Sequence, residues 1–212
     1  MITNRSVSLS DQIFDQLEND ILTGVIPRGS IITETQISER LGVSRTPVRE
    51  AMGRLIQDHM VEETGKGNLV VGITDEDAAC IYDIRTRIEG MAARLAAKNA
   101  GEEQLRRMKE AIDVQQYYHT KGDSEKIREQ DSRFHELMYK ASGSTILNDT
   151  LSALHRKVQK YRMISVTHEG RAGKSIREHQ AIYDAIAAHD GDLAEQLATE
   201  HVISARKSIV GK

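Results

Sequence analysis

Four side chains in the second half of the sequence have the chemistry and the spacing of a metal site. Asp131 and His135 are four residues apart, so on a helix they share one face. His179 and His201 follow at a separation that suits two adjacent antiparallel helices joined by a turn. Imidazole nitrogens and a carboxylate are compatible with zinc, nickel, manganese or iron. Spacing alone leaves open the alternative that each histidine is separately hydrogen-bonded.

A second set of candidate residues lies in the first quarter of the chain. Between Arg40 and Leu55 the sequence has four arginines and one acid, Glu50, although the whole chain has a formal charge of −3. Arg45 and Arg49 project from one side of a helix, and an arginine fork fits the acceptors of guanine. This pattern predicts a DNA-reading helix, with a solvated arginine face as the alternative. The candidate DNA contacts are Ser44, Arg45, Thr46, Arg49, Lys66 and Gly67.

Short helices and a hairpin are predicted around these arginines. Apolar residues recurring every four positions indicate an amphipathic helix over about residues 10–23. A second helix is expected over about 33–41 and a third after Ser44, which we expect to cap it. Two helices separated by Gly-Val-Ser form a helix-turn-helix. The β-prone runs on either side of the glycine-rich tip in 60–71 predict a β-hairpin.

Helical periodicity continues almost without interruption from Thr74 onward. We therefore expect a mainly α protein with two domains, residues 1–73 and 74–212, the second an all-α antiparallel helical bundle. Glycine and short polar residues mark the turns. The predicted helices cover about 75–99, 102–119, 124–141, 145–167, 172–189 and 192–209.

The composition fits a soluble two-domain protein. At 212 residues the chain has room for one large domain or two small ones, and 39% hydrophobic with 29% charged residues can form a core. The single cysteine, Cys80, permits no internal disulfide. The first ten residues lack the apolar run of a signal peptide, and no stretch approaches the roughly 18 apolar residues needed to span a bilayer. We expect a cytoplasmic protein that does not enter a membrane.

The segment 41–55, with Arg45, Thr46, Pro47 and Arg49 after the Gly-Val-Ser turn, resembles the winged helix-turn-helix of the GntR family of bacterial transcription regulators. The Gly65-Lys66-Gly67 tip resembles its wing, and the similarity covers roughly residues 8–72. The resemblance implies DNA binding. Thr35 departs from the family, in which an arginine often supports the phosphate contacts at this position.

The rest of the chain, roughly 75–208, resembles the FCD domain of the FadR subgroup of that family. The segment 84–97 resembles its first helix, and Ser144-Thr145 departs from the usual Asn-Pro. The resemblance implies one divalent metal per subunit, for which we expect zinc. It also implies that Arg85 binds the carboxylate of an organic-acid effector, with an ion pair to Glu89 as the alternative. On electrostatic grounds we expect Arg85 to add a positive charge to that of the metal. Arg162 is a second effector candidate. The implied metal ligands are Asp131, His135, His179 and His201.

These resemblances imply a repressor rather than an enzyme. We expect a homodimer on double-stranded DNA with a palindromic operator, controlled by a small carboxylate effector. One alternative is a metal-dependent hydrolase in which Glu178, beside His179, is the base, although neighbours on a helix point about 100° apart. Another is a scaffold protein with a structural metal, which leaves the winged helix unexplained.

Overall fold

The computed structural model describes residues 8–158, 161 and 170–210, and the chain divides into two compact units, Met1–Thr74 and Asp75–Lys212. Each unit has a hydrophobic core of its own. Within the described ranges, no helix combines the length and apolarity needed to cross a membrane.

Three helices form most of the first unit: α1 (Leu9–Thr23), α2 (Glu34–Leu41) and α3 (Arg45–Gln57). Thr33 caps α2 through its side chain, as predicted. Ser44 lies at the N-cap of α3, but its side chain makes no capping hydrogen bond, so its predicted capping role is wrong. The inward faces of the helices meet at fully buried side chains, namely Leu17, Val48, Ala51 and Leu55.

The predicted hairpin is present as the antiparallel strands β2 (Val61–Thr64) and β3 (Gly67–Val70). The sequence analysis missed a third strand, β1 (Ile31–Ile32), which pairs with the other edge of β3. Two residues are too short for an alternating pattern to identify. Gly67 has a φ of 130°, and a Cβ there would lie 2.9 Å from the side chain of Ile31. The close packing of β1 on β3 therefore requires glycine.

The second unit is a helical bundle. α4 packs along α9, while α5 packs against α6 and α8. Small residues on α4 permit the close approach to α9: a Cβ at Gly90 would lie 2.8 Å from the carbonyl oxygen of Glu195. The predicted helix over 145–167 is described as far as Lys157, and Arg162 lies outside the described residues. The helices are α4 (Asp75–Asn99), α5 (Glu102–Lys121), α6 (Ser124–Ala141), α7 (Thr145–Lys157), α8 (Arg171–Ala187) and α9 (Gly191–Val210). The predicted mainly α fold class, with a small sheet in the first unit, is confirmed.

Candidate functional site

Three histidines from three helices meet inside the second unit. His135 comes from α6, His179 from α8 and His201 from α9, and at most 4% of each residue is exposed. One ring nitrogen from each lies within 4.8 Å of the others. This separation suits ligands of a single metal ion, so the fold brings together residues that are far apart in sequence.

Each of these rings has an oxygen acceptor beside its Nδ1 atom. At His179 and His201 the acceptor makes a hydrogen bond, which holds the proton on Nδ1 and leaves the Nε2 lone pair for a metal. At His135 the Glu89 oxygen is close, but the contact meets only the distance of an ion pair. Second-shell partners of this kind also fix the ring orientation. The Nδ1 pairs are His135 with Glu89 Oε1 at 2.8 Å, His179 with Gln115 Oε1 at 3.1 Å, and His201 with Glu178 Oε2 at 2.8 Å.

Asp131 adjoins this group through His179. Its Oδ1 lies 3.6 Å from His179 Nε2, close to the spacing of two atoms bound to one ion. The same oxygen accepts a hydrogen bond of 3.1 Å from the Ser175 hydroxyl and one of 3.4 Å from Gln115 Nε2. Gln115 therefore contacts both Asp131 and His179, and connects the carboxylate to the histidines.

The environment of the histidines favours the protonation state that metal binding needs. Burial lowers the pKa of His135, and it lowers the pKa of His179 well below the ordinary value, so both rings are neutral at neutral pH. Burial opposes ionisation of Glu89, but the positive charge of Arg85 keeps the pKa of that carboxyl far below its usual range. Neutral imidazoles beside a carboxylate fit a divalent metal such as zinc.

A cavity of about 30 Å³ lies beside these residues. Its lining includes Tyr82 and Arg85 of α4 and Arg171 at the start of α8. The cavity also touches three of the candidate ligands, Asp131, His135 and His201. A metal at the histidines would therefore face a small space with two guanidinium groups in its walls.

Arg85 combines the two roles that the sequence left open, since it lines the cavity and also pairs with Glu89. Its Nε donates to Glu89 Oε2 at 2.9 Å, and both residues are almost completely buried. Among the described residues its terminal amino groups have no hydrogen-bond partner. The expectation that Arg85 adds a net positive charge is wrong, because Glu89 neutralises it. Its donors nevertheless remain available to a ligand.

Sequence reasoning missed the residues that orient the histidines. Gln115, Ser175 and Arg171 have no motif that marks them, whereas the i,i+4 spacing of Arg85 and Glu89 was a usable signal. His155, which no sequence pattern marked, is also buried, with its ring centre 4.8 Å from that of His135.

Glu178, the base of the hydrolase alternative, has different partners here. It accepts hydrogen bonds of 2.8 Å from both His201 Nδ1 and Arg171 Nη1. Burial raises the pKa of this carboxyl, but the hydrogen bond from His201 and the Arg171 charge lower it to about 2. Such a carboxylate orients a histidine and is a poor proton acceptor at neutral pH.

The candidate DNA-binding residues lie at the exposed start of α3 and at the hairpin tip. Arg49 extends into solvent with 71% of its side chain exposed, and its Nε lies 3.2 Å from Glu34 Oε1. Arg45 donates to the Thr35 hydroxyl, so the residue that departs from the family pattern contacts a candidate base reader. The hairpin turn exposes Lys66. The other three predicted contacts are the exposed Ser44 and Thr46 and the half-buried Gly67.

Two of the four arginines between Arg40 and Leu55 are paired with acids from outside this segment. Arg40 pairs with Asp20 at 2.7 Å, and Arg54 pairs with Asp11 at 2.6 Å and lies over the ring of Phe14. Both acids belong to α1. These two arginines therefore join α1 to the helix-turn-helix, and their acid partners offset part of the positive charge of the segment.

Comparison with known proteins finds a matching family model for each of the two units. A family model described as bacterial regulatory proteins, gntR family, matches residues 9–71, and one described as FCD domain matches residues 80–204. The HTH-type transcriptional regulator YdhC of Bacillus subtilis (strain 168) is 29% identical over 192 residues, covering 90% of this chain and 86% of the relative. The HTH-type transcriptional repressor RspR of Escherichia coli (strain K12) is 28% identical over 207 residues, covering 97% and 91%.

A solved structure gives the same result for the fold. The E. coli McbR/YncC structure superposes with a TM-score of 0.78 at 24% identity, covering 93% of this chain and 94% of that chain. The gntR match falls on the helix-turn-helix and its hairpin, and the FCD match falls on the helical bundle. The chain therefore belongs to the GntR family of bacterial regulatory proteins and carries an FCD domain.

Proposed function

We propose that this protein is a transcriptional repressor of the FadR subgroup, without enzymatic activity, that binds a palindromic operator as a homodimer. A small carboxylate bound beside a metal in the second unit would change its affinity for the operator. The observation that carries this proposal is the set of three buried histidines whose Nδ1 atoms all face oxygen acceptors. A histidine cluster that only filled a core would not need one ring nitrogen of each histidine within 4.8 Å of the others.

In the first unit, Arg45 and Arg49 would contact the major groove, and Ser44 and Thr46 the phosphates at the start of α3. The exposed Ser44 hydroxyl, which makes no capping bond, supports this role. Lys66 and Gly67 would approach the backbone of the neighbouring groove. Arg45 and Arg49 would exchange contacts with Thr35 and Glu34 for contacts with DNA.

In the second unit, Asp131, His135, His179 and His201 would hold one divalent ion per subunit, with zinc as the first choice. The ion supplies a Lewis-acidic centre for a carboxylate oxygen. The spare N–H donors of Arg85 supply charge-assisted hydrogen bonds to the same ligand. With Arg85 balanced by Glu89, the ion and Asp131 leave about one net positive charge, which matches one carboxylate.

Two measurements test the proposal. Elemental analysis of protein purified without chelator is expected to give about one divalent ion per chain, and a His179→Ala variant is expected to give none. An operator selected from random duplexes is then titrated with metal-loaded protein, with and without organic acids that raise its melting temperature. Absence of metal after purification and reconstitution, or an operator affinity that no such acid changes, would contradict it.

A further inference from the structure

A second arginine lines the cavity beside the candidate metal ligands. Arg171 contacts the same cavity as Asp131 and His201, and only 9% of it is exposed. Its Nη1 donates to Glu178 Oε2 at 2.8 Å, while its Nε and Nη2 have no hydrogen-bond partner among the described residues. A guanidinium has five N–H donors, and Arg171 lines the cavity, where water or a ligand can meet those that no described residue accepts. Arg171 therefore has unused capacity for an anion.

The carboxylates that hold the two cavity arginines have different surroundings. The side chain of Glu89 is 0% exposed, and its partners are Arg85 and the Nδ1 of His135. Moving Arg85 away would leave a buried anion without its cation, which is strongly unfavourable. Arg85 is therefore fixed to Glu89 and can meet a ligand only through its spare donors.

Glu178 can lose its contact with Arg171 without being left as an unpaired charge. Its side chain is 19% exposed, and its Oε1 lies 3.7 Å from the ammonium of Lys174. Its Oε2 also accepts from His201 Nδ1. If Arg171 turned to a ligand, Glu178 would keep Lys174 as a charge partner and would still orient His201.

This difference changes the charge available to a ligand. A divalent ion and Asp131 leave one net positive charge while both arginines remain paired. Release of Arg171, with Glu178 balanced by Lys174, makes a second positive charge available. Two positive groups in one cavity match an acid with two carboxylates. Because the cavity is only about 30 Å³, even a short acid can enter only as Arg171 moves away from Glu178.

We infer that Arg171 is the specificity-determining residue of this pocket and that it selects short dicarboxylates over monocarboxylates. One carboxylate lies at the metal and the spare donors of Arg85, and the second lies on Arg171 in place of Glu178. The inference rests on the proposed function, because it needs a metal at the histidines.

The test is calorimetric titration of zinc-loaded full-length protein with acids matched in length, succinate against butyrate and malonate against propionate. We expect wild type to bind at least one dicarboxylate about tenfold or more tightly than its monocarboxylate partner, as charge-assisted hydrogen bonds allow. In Arg171→Met this ratio is expected to fall close to one. Arg177→Met is the matched control, because it removes the same charge from an exposed position on the same helix.

A second variant separates ligand recognition from a structural ion pair. Glu178→Gln still accepts from His201 but releases Arg171, so its affinity for the dicarboxylate is expected to rise. If the Arg171–Glu178 pair were only structural, both variants would weaken the two acids alike. The double variant, Arg171→Met with Glu178→Gln, removes both members of the ion pair, so it leaves no carboxylate without its arginine. It therefore supplies the ratio of dicarboxylate to monocarboxylate affinity if the single Arg171 variant does not fold.

The possible failures are distinguishable. If zinc-loaded wild type binds neither acid of either pair, the inference is wrong, whereas the proposed function is contradicted only if no metal binds or no organic acid changes operator affinity. If wild type binds both acids of each pair equally, or if Arg171→Met keeps the wild-type ratio, the inference alone is wrong.

Discussion

Two of the clustered histidines are buried in the neutral form, and we expect this to make the folded protein less stable at acid pH. Because burial lowers the pKa of His135 and His179 in the folded chain, the unfolded chain binds more protons below about pH 6.5. The free energy of unfolding of metal-free protein is therefore expected to be greatest above that pH and to decrease as the pH falls through it. Urea unfolding between pH 8 and pH 5.5 measures this.

His179→Gln removes one titrating group and is expected to make that pH dependence shallower. The exposed His59, changed to Asn, is the control and is expected to leave the slope unchanged. An equally steep slope in His179→Gln would show that burial of this ring does not cause the acid sensitivity.

At the same scale, Arg45 and Arg49 are expected to account for operator affinity. Changing Arg45 to Ala is expected to cost about 1–3 kcal/mol and to relax base preference if it contacts a base. A lost phosphate contact would instead weaken all sequences alike and reduce the salt dependence. Operator titrations at several salt concentrations distinguish the two, with exposed Arg106→Ala as control. Wild-type affinity and salt dependence in a folded Arg45, Arg49 double variant would refute the assignment.

Among the elements, the contact between α4 and α9 depends on the lack of a side chain at Gly90. A Cβ there would lie 2.5 Å from Thr199 Oγ1 and 2.8 Å from the Glu195 carbonyl oxygen, so the helices would have to separate. Gly90→Ala is expected to destabilise the protein by about 1–3 kcal/mol. Urea unfolding of metal-free protein measures this.

Gly53 provides the opposite case in another helix. A Cβ there meets no atom within 4 Å, so Gly53→Ala in α3 is expected to stabilise by roughly 0.5–1 kcal/mol through helix propensity alone. If Gly90→Ala stabilised the protein as much as Gly53→Ala, the close packing of α4 on α9 would not be a constraint.

For the whole molecule, the proposed function requires the acid and the operator to be thermodynamically linked. Each is expected to change the affinity for the other by the same factor, with a coupling of about 1–3 kcal/mol. Arg85→Lys keeps a cation beside Glu89 but loses the planar fork, so it is expected to reduce acid binding and to leave acid-free operator affinity unchanged. Paired titrations of acid and operator measure both factors, and a factor of one in both titrations would contradict the proposed coupling.

Local patterns in the sequence determined most of the architecture. Apolar periodicity and turn residues were sufficient to predict the helices and the hairpin, because they reflect contacts between residues a few positions apart. The spacing of Asp131 and His135 likewise predicted one shared helix face. The short strand at Ile31 was missed, since the strand with which it pairs lies far along the chain, with Leu69 opposite Ile31.

Only the tertiary structure decided which groups neutralise and orient one another. Gln115 meets His179, Glu178 meets His201, and Asp11 and Asp20 pair with arginines of the helix-turn-helix. These partners come from different helices, and no periodic pattern in the chain encodes which side chains will meet. Charge counted along the sequence therefore overestimated the positive field at both sites, whereas the folded chain pairs most of those arginines with acids brought in by packing.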